Sequence, residues 1–134
     1  MRAVTIERMS KARDIVTDSV WGSSKMRFLD WSVGETVVVL VAREGVLTAR
    51  VSGPRFKSDR LAWESDASDW HVPLADVTLV KDAGGQRLNT DIRDALKRCY
   101  GEQVYFRLLL SGMKLGHEPE RLVLELLQRP AGTE

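Results

Sequence analysis

The run Thr36–Val51, TVVVLVA-REG-VLTARV, decides the fold. Its first seven residues (Thr36 to Ala42) are nearly all β-branched or apolar, which predicts a strand buried on both faces. Arg43-Glu44-Gly45 reads as a tight turn. In Val46 to Val51, Val46, Thr48 and Arg50 alternate with Leu47, Ala49 and Val51, the pattern of a strand with one wet face. Together they form a hairpin around which the other elements are placed.

Upstream, Ala3–Ile6 is a short β-type run. Ser10 is expected to cap a helix over Lys11–Thr17 with Ala12, Ile15 and Val16 as its apolar stripe. Then comes Val20-Trp21-Gly22-Ser23-Ser24-Lys25, read as a polar loop holding a bulky ring beside a glycine and two hydroxyls. Met26, Phe28, Leu29 and Trp31 suggest one or two helical turns ending at Ser32-Val33-Gly34, with Trp31 in the core.

Downstream, residues 52–70 read as a long irregular stretch with two tryptophans, a poor composition for disorder. Val72–Lys81 returns to strand pattern, with Leu74, Val77 and Leu79 as core candidates. Asp82-Ala83-Gly84-Gly85 reads as a turn, and Asn89-Thr90-Asp91 as the cap of a helix to Tyr100 closed by Gly101. Ile92, Ala95, Leu96 and Cys99 form its buried face. Gln103–Leu110 is expected to be a central strand. Glu118-Pro119 opens a last helix carrying Leu122, Leu124, Leu126 and Leu127, ended by Arg129-Pro130. The order predicts a single α+β domain over residues 1–134 with a curved, mostly antiparallel sheet.

Composition narrows the classes of function. The 134 residues are 43% hydrophobic and 29% charged, the profile of a globular protein. No apolar run approaches the roughly 18 residues of a membrane span, so no membrane partner is expected. The single cysteine, Cys99, excludes an internal disulfide and a thiolate-rich metal site, and a cytoplasmic setting is expected. Residues 1–60 hold 11 Lys/Arg against 7 Asp/Glu, a net of +4, whereas residues 61–134 carry a net of −3. The basic bias available for a phosphate backbone therefore lies in the N-terminal half.

Enzyme constellations are thin. His71 and His117 have no metal-binding neighbourhood, and no GxSxG elbow or phosphate loop is present. No catalytic residue, metal or cofactor is expected. Trp21, Trp63 and Trp70 stand out instead, each flanked by polar or small residues in VWGSS, AWESD and SDWHV. Such rings either plug a core or form stacking walls for a planar ligand.

The run Ile6…Ser10-Lys11-Ala12-Arg13-Asp14-Ile15-Val16-Thr17-Asp18-Ser19-Val20-Trp21-Gly22-Ser23-Ser24 resembles the opening of the EVE and YTH domains of the PUA-like superfamily. The resemblance continues through the hairpin of Gly34–Gly53, through Lys57-Ser58-Asp59-Arg60-Leu61-Ala62-Trp63, and on to Leu79 and the terminal elements. It implies a PUA-like, EVE/YTH-type curved β-barrel of about five to six strands flanked by helices. It also implies a reader of modified bases: YTH domains hold N6-methyladenine in an aromatic cage, and EVE domains are linked to modified bases in DNA.

By the same resemblance, Trp21 matches the first cage wall, Trp63 the second, and Trp70 falls near the third. Gly22 reads the base edge through its backbone, with a hydroxyl from Ser23. The family's asparagine at the end of the first strand is absent; Glu7, as an acceptor for an exocyclic amine, and Ser10 stand in that region as the remaining base-edge readers, so adenine over cytosine, including 5-methylcytosine, is not fixed. Lys11, Lys25, Arg55, Lys57 and Arg60 border the pocket and are expected to hold phosphates. Stacking is worth about 1–3 kcal/mol per base, and a buried methyl adds roughly 0.8 kcal/mol. Extruding a base costs a few kcal/mol, so the expected partner is a single strand or a flipped base in DNA or RNA, with a nuclease or translation protein as a further candidate partner. Trp21→Ala is expected to abolish binding while the fold survives. Two rival readings stand beside this one: a small ASCH-type RNA-processing enzyme using Lys25 and Glu7, and a protein–protein module anchored by the loop tryptophans.

Overall fold

The computed structural model describes residues 1–23, 31–57, 70–104 and 112–128. In chain order the elements are β1 (Arg2–Ile6), α1 (Met9–Asp18), β2 (Val20–Ser23), β3 (Thr36–Val41), β4 (Gly45–Val51), β5 (Phe56–Lys57), β6 (Trp70–Val80), α2 (Asp82–Tyr100), β7 (Met113–Lys114) and α3 (His117–Gln128). The strands described form one sheet in the order β2-β6-β4-β3-β1-β7, with β5 also pairing to β6. β1 runs parallel to β3, and the other pairings are antiparallel.

The hairpin forms as its pattern predicts, with Val37 opposite Ala49 and Val39 opposite Leu47. Both faces of β3 are covered because the sheet separates two cores. Val37, Val39 and Val41 join Val4, Ile6, Leu47, Ala49, Val51, Val72 and Leu74 in an inner core closed by Ala12 and Ile15 of α1. Val38, Leu40 and Val46 join Ala3 in an outer core under Ile92 and Leu96 of α2 and Val123 of α3. The expected wet face of β4 is therefore wet only toward Arg50; Val46 lies beneath α2.

The spine of the sheet is β6, and it contains a break in alternation. Trp70, Val72 and Leu74 address the inner core, yet so do Val77 and Leu79, which have the opposite parity. The register shifts between the partners Thr48 and Arg50, where Asp76 adopts a left-handed conformation with φ 55°. This bulge inserts one residue and returns the strand to its original face. Arg50 donates from Nε (3.2 Å) and Nη2 (3.1 Å) to the same Asp76 carboxylate oxygen.

Several expectations are corrected at helix ends. α1 is capped by extended Arg8 with no side-chain bond, so Ser10 is a residue of its first turn rather than its cap. Val16 is 45% exposed, and the buried stripe is Ala12 and Ile15 alone. Asp82-Ala83-Gly84-Gly85 is the first turn of α2. Gly85 is there for space: a Cβ would collide with the Val80 carbonyl oxygen. Asn89 is fully buried inside α2 and caps nothing. Its Nδ2 donates to the carbonyls of Ala42 (3.1 Å) and Gly45 (2.7 Å), which bolts the helix to the hairpin turn.

Gly101 closes α2 with φ 85°, as expected, but Cys99 lies on its exposed side. α3 begins at His117, placing Pro119 at its third residue, and Val123 takes the most buried position while Leu124 is exposed. Of the strand expected at Gln103–Leu110, Gln103 lies in a turn and Val104 is buried; the remainder falls outside the described residues, as does most of the short helix expected around Met26, Phe28 and Leu29.

Candidate nucleic-acid interface

Trp21 is not in a loop. It sits in β2, opposite Val72 of β6, with Gly22 opposite His71 and Ser23 opposite Trp70. Directly opposed residues share a face of a sheet, so Trp21, Trp70 and Val72 occupy one side of this two-strand ribbon, the inner one. On the other flank of β6, Lys57 stands opposite Trp70 and Phe56 opposite His71. Trp70 is thus bracketed by Lys57, directly opposite on β5, and by Trp21, on its diagonal in β2 at a spacing that aromatic side chains span.

The two rings differ in environment. Trp70 is half-buried and packs against the rim of the inner core. Trp21 is 6% exposed and belongs to that core. Its ring centroid lies 5.2 Å from that of Trp31, tilted by 41°. Trp31 is buried, as expected from its position before β3. Trp21→Ala would therefore open a large cavity, which revises the expectation that the fold survives this change unharmed.

Behind Trp31 lies a group that sequence reasoning overlooked. Arg2 is buried, its guanidinium carbon 6.0 Å from the Trp31 ring centroid. Its Nε donates to Glu35 Oε1 at 2.7 Å, and Glu35 Oε2 accepts from the Ser32 backbone N–H, also at 2.7 Å. The signal was available: Arg2 shares the parity of Val4 and Ile6, so a regular β1 turns all three toward the inner core.

The remaining predicted residues scatter. Lys11 Nζ lies 3.3 Å from Glu7 Oε1, one turn apart, so this cation and this acid engage each other. Glu7 and Ser10 are exposed around the start of α1, and Trp21 follows its far end. Arg55 and Lys57 are exposed, at and within the approach to β5. Trp63, Lys25 and Arg60 lie outside the described residues. On the opposite face of β6, His71 is fully buried and stacks on Phe56, with ring centroids 5.6 Å apart.

Among the described residues, no group of three His, Cys, Asp or Glu is placed to hold a metal, and no helix is long and apolar enough to cross a membrane.

No family model and no curated protein matches the chain. Among solved structures, it is similar to that of a point mutant of ZmASCH, from Zymomonas mobilis, with a TM-score of 0.60 at 13% identity. That alignment covers 93% of this chain and 96% of the other. The chain therefore has the α+β, PUA-like fold of an ASCH domain, a curled mixed sheet with helices on both faces.

Proposed function

We propose that this domain binds a strand of nucleic acid and reads a modified base, a methylated one, at the Trp21–Trp70 end of β6. The observation that carries the reading is the bracketing of Trp70: half-buried, diagonal to Trp21 and directly opposite exposed Lys57 on one face. Trp70 is the ring a base meets first, and Trp21 is the floor behind it. Lys57 supplies the charge for an adjoining phosphate, a contact that positions the strand without reading sequence. The likeness to EVE and YTH domains, set on a PUA-like fold, agrees with this division of labour, and Trp63 completes the cage in this reading.

The test is tryptophan fluorescence titration with short single strands of DNA and RNA. The central position carries adenine, N6-methyladenine, cytosine or 5-methylcytosine, at two salt concentrations. Tightest quenching by one modified base supports the reader. Quenching that ignores the modification and fades with salt removes it, leaving a mildly basic surface.

The fold comparison favours one second reading, an RNA-processing enzyme of the ASCH type. Glu7 is already engaged by Lys11, which weakens its pairing with Lys25. Nuclease activity of the purified protein that disappears in Lys25→Ala would establish this alternative.

A further inference from the structure

Beside the inner core lies a buried ion pair. Arg2 and Glu35 are 8% and 9% exposed at their side chains, joined at 2.7 Å. Buried pairs of this kind are commonly matched in stability by apolar side chains of equal volume. What the pair provides here is geometry. Glu35 is itself held: one oxygen accepts from Arg2, the other from the Ser32 N–H. Its carbonyl accepts from the Val51 N–H at 2.9 Å, and the Gly34 N–H donates to the Val51 carbonyl at 2.7 Å. The carboxylate is therefore anchored to the end of β4, and it fixes the position of a planar guanidinium.

That guanidinium sits 6.0 Å over the Trp31 ring, within reach of the attraction between a cation and an aromatic face. Trp31 in turn lies 5.2 Å from Trp21 at 41°. In a close-packed interior neither ring turns without the other. The contacts run in one line: Glu35, Arg2, Trp31, Trp21.

We propose that Arg2 is a positioning residue for the base site: held by Glu35, it sets the tilt of Trp31 and through it the plane that Trp21 offers to a bound base. This rests on the base-reading function proposed above for Trp21 and Trp70. It assigns discrimination between modified and unmodified bases partly to a residue that touches neither.

The test uses the full chain with Arg2→Met and Glu35→Met combined, which removes both charges of the pair together, alongside Arg2→Lys. Three quantities are measured: thermal unfolding, the far-ultraviolet circular dichroism couplet of the Trp21–Trp31 pair in free protein, and titration with methylated and unmethylated oligonucleotides. The double variant is expected to unfold near the wild-type temperature, to lose much of the couplet, and to lose preference for the modified base by about 5- to 150-fold, the equivalent of one misplaced stacking wall. Arg2→Lys keeps the charge but not the planar fork, and is expected to share both losses. A folded variant that retains couplet and preference overturns the proposal, as does one that melts earlier with the couplet unchanged. Should the double variant not fold, Arg2→Lys decides by the same readings. Should wild-type protein fail to distinguish the oligonucleotides, the base-reading function falls, and the couplet alone decides whether Arg2 sets the ring pair.

Discussion

Asn89 and Gly45 are joined by a 2.7 Å hydrogen bond from a fully buried amide to a hairpin carbonyl 44 residues away in sequence. The same Nδ2 donates to the Ala42 carbonyl, and Arg93 Nη2 donates to that carbonyl too, while Arg93 Nε donates to Asn89 Oδ1 at 2.6 Å. Gly45 lacks a side chain because a Cβ there would stand 2.5 Å from the Val80 carbonyl oxygen. The hairpin turn, the end of β6 and α2 thus meet within one polar cluster.

Asn89→Ala leaves the Gly45 carbonyl without this donor. The expected loss is about 1–3 kcal/mol of unfolding free energy, the cost of an unsatisfied buried group. Urea denaturation of the single variant measures it. A loss below about 0.5 kcal/mol, within the range of ordinary surface changes, would show that the cluster is not holding α2.

This amide also shows what the sequence concealed. Asn-Thr-Asp at 89–91 has the composition of a helix cap, and only the proximity of two carbonyls from a distant turn explains a buried asparagine in mid-helix. Local pattern was enough for β3 and β4, whose alternation is set by burial and needs no partner to be read. It was also enough for Trp31 and Gly101. Where long-range contact decides, pattern misled. Gly84-Gly85 resembles a turn but opens α2, where Gly85 permits close approach to β6. Trp21 was placed in a loop because Gly-Ser-Ser follows it, whereas pairing with β6 draws it into a strand.

The bulge in β6 gives a sharper test. Leu74 and Val77 were both legible as core residues, yet a regular strand cannot bury both on one face. Deleting Asp76 removes the inserted residue and turns Val77 and Leu79 away from the inner core. The deletion is expected to prevent stable folding. Asp76→Gly relieves the left-handed conformation and is expected to remain within about 1 kcal/mol of wild type, since the Arg50 ion pair it loses is exposed. Asp76→Val is expected to cost about 1–2 kcal/mol. Thermal unfolding of the three variants checks the order.

For the base site, Trp70 is the cleaner probe. Trp70→Ala is expected to weaken oligonucleotide binding by about 1–3 kcal/mol, one stacking contact, with a smaller stability loss than Trp21→Ala. The latter empties a core position and is expected to cost about 3–5 kcal/mol of stability. Paired melting and titration curves separate the two; equal binding by Trp70→Ala and wild type would remove Trp70 from the site.

Lys57→Ala is expected to weaken binding uniformly across sequences and to reduce the slope of log K against log salt by about 1. A change in preference between bases without a change in slope would instead assign Lys57 to the base.

On α3, Arg121 donates from Nε to Glu118 at 3.1 Å. That hydrogen bond and the adjacent positive charge hold the Glu118 carboxyl below its usual range. With the folded value depressed, the pair's contribution is present above the unfolded carboxylate range and is lost as pH falls through the folded value. Both groups are exposed, so the effect on stability is small. A carbon-detected NMR titration should place the Glu118 midpoint lower in wild type than in Arg121→Ala.

β1 lies between β3 and β7, giving Val4 and Ile6 to one core and Ala3 to the other. A strand shared in this way leaves neither half a free-standing melting unit. Withdrawing it strips a wall from both compartments together, so the helices behind the sheet report on the aromatic end in front of it. Tryptophan emission, which senses the inner compartment, and helical ellipticity, to which the longer α2 and α3 contribute more than α1, should accordingly trace one coincident unfolding curve.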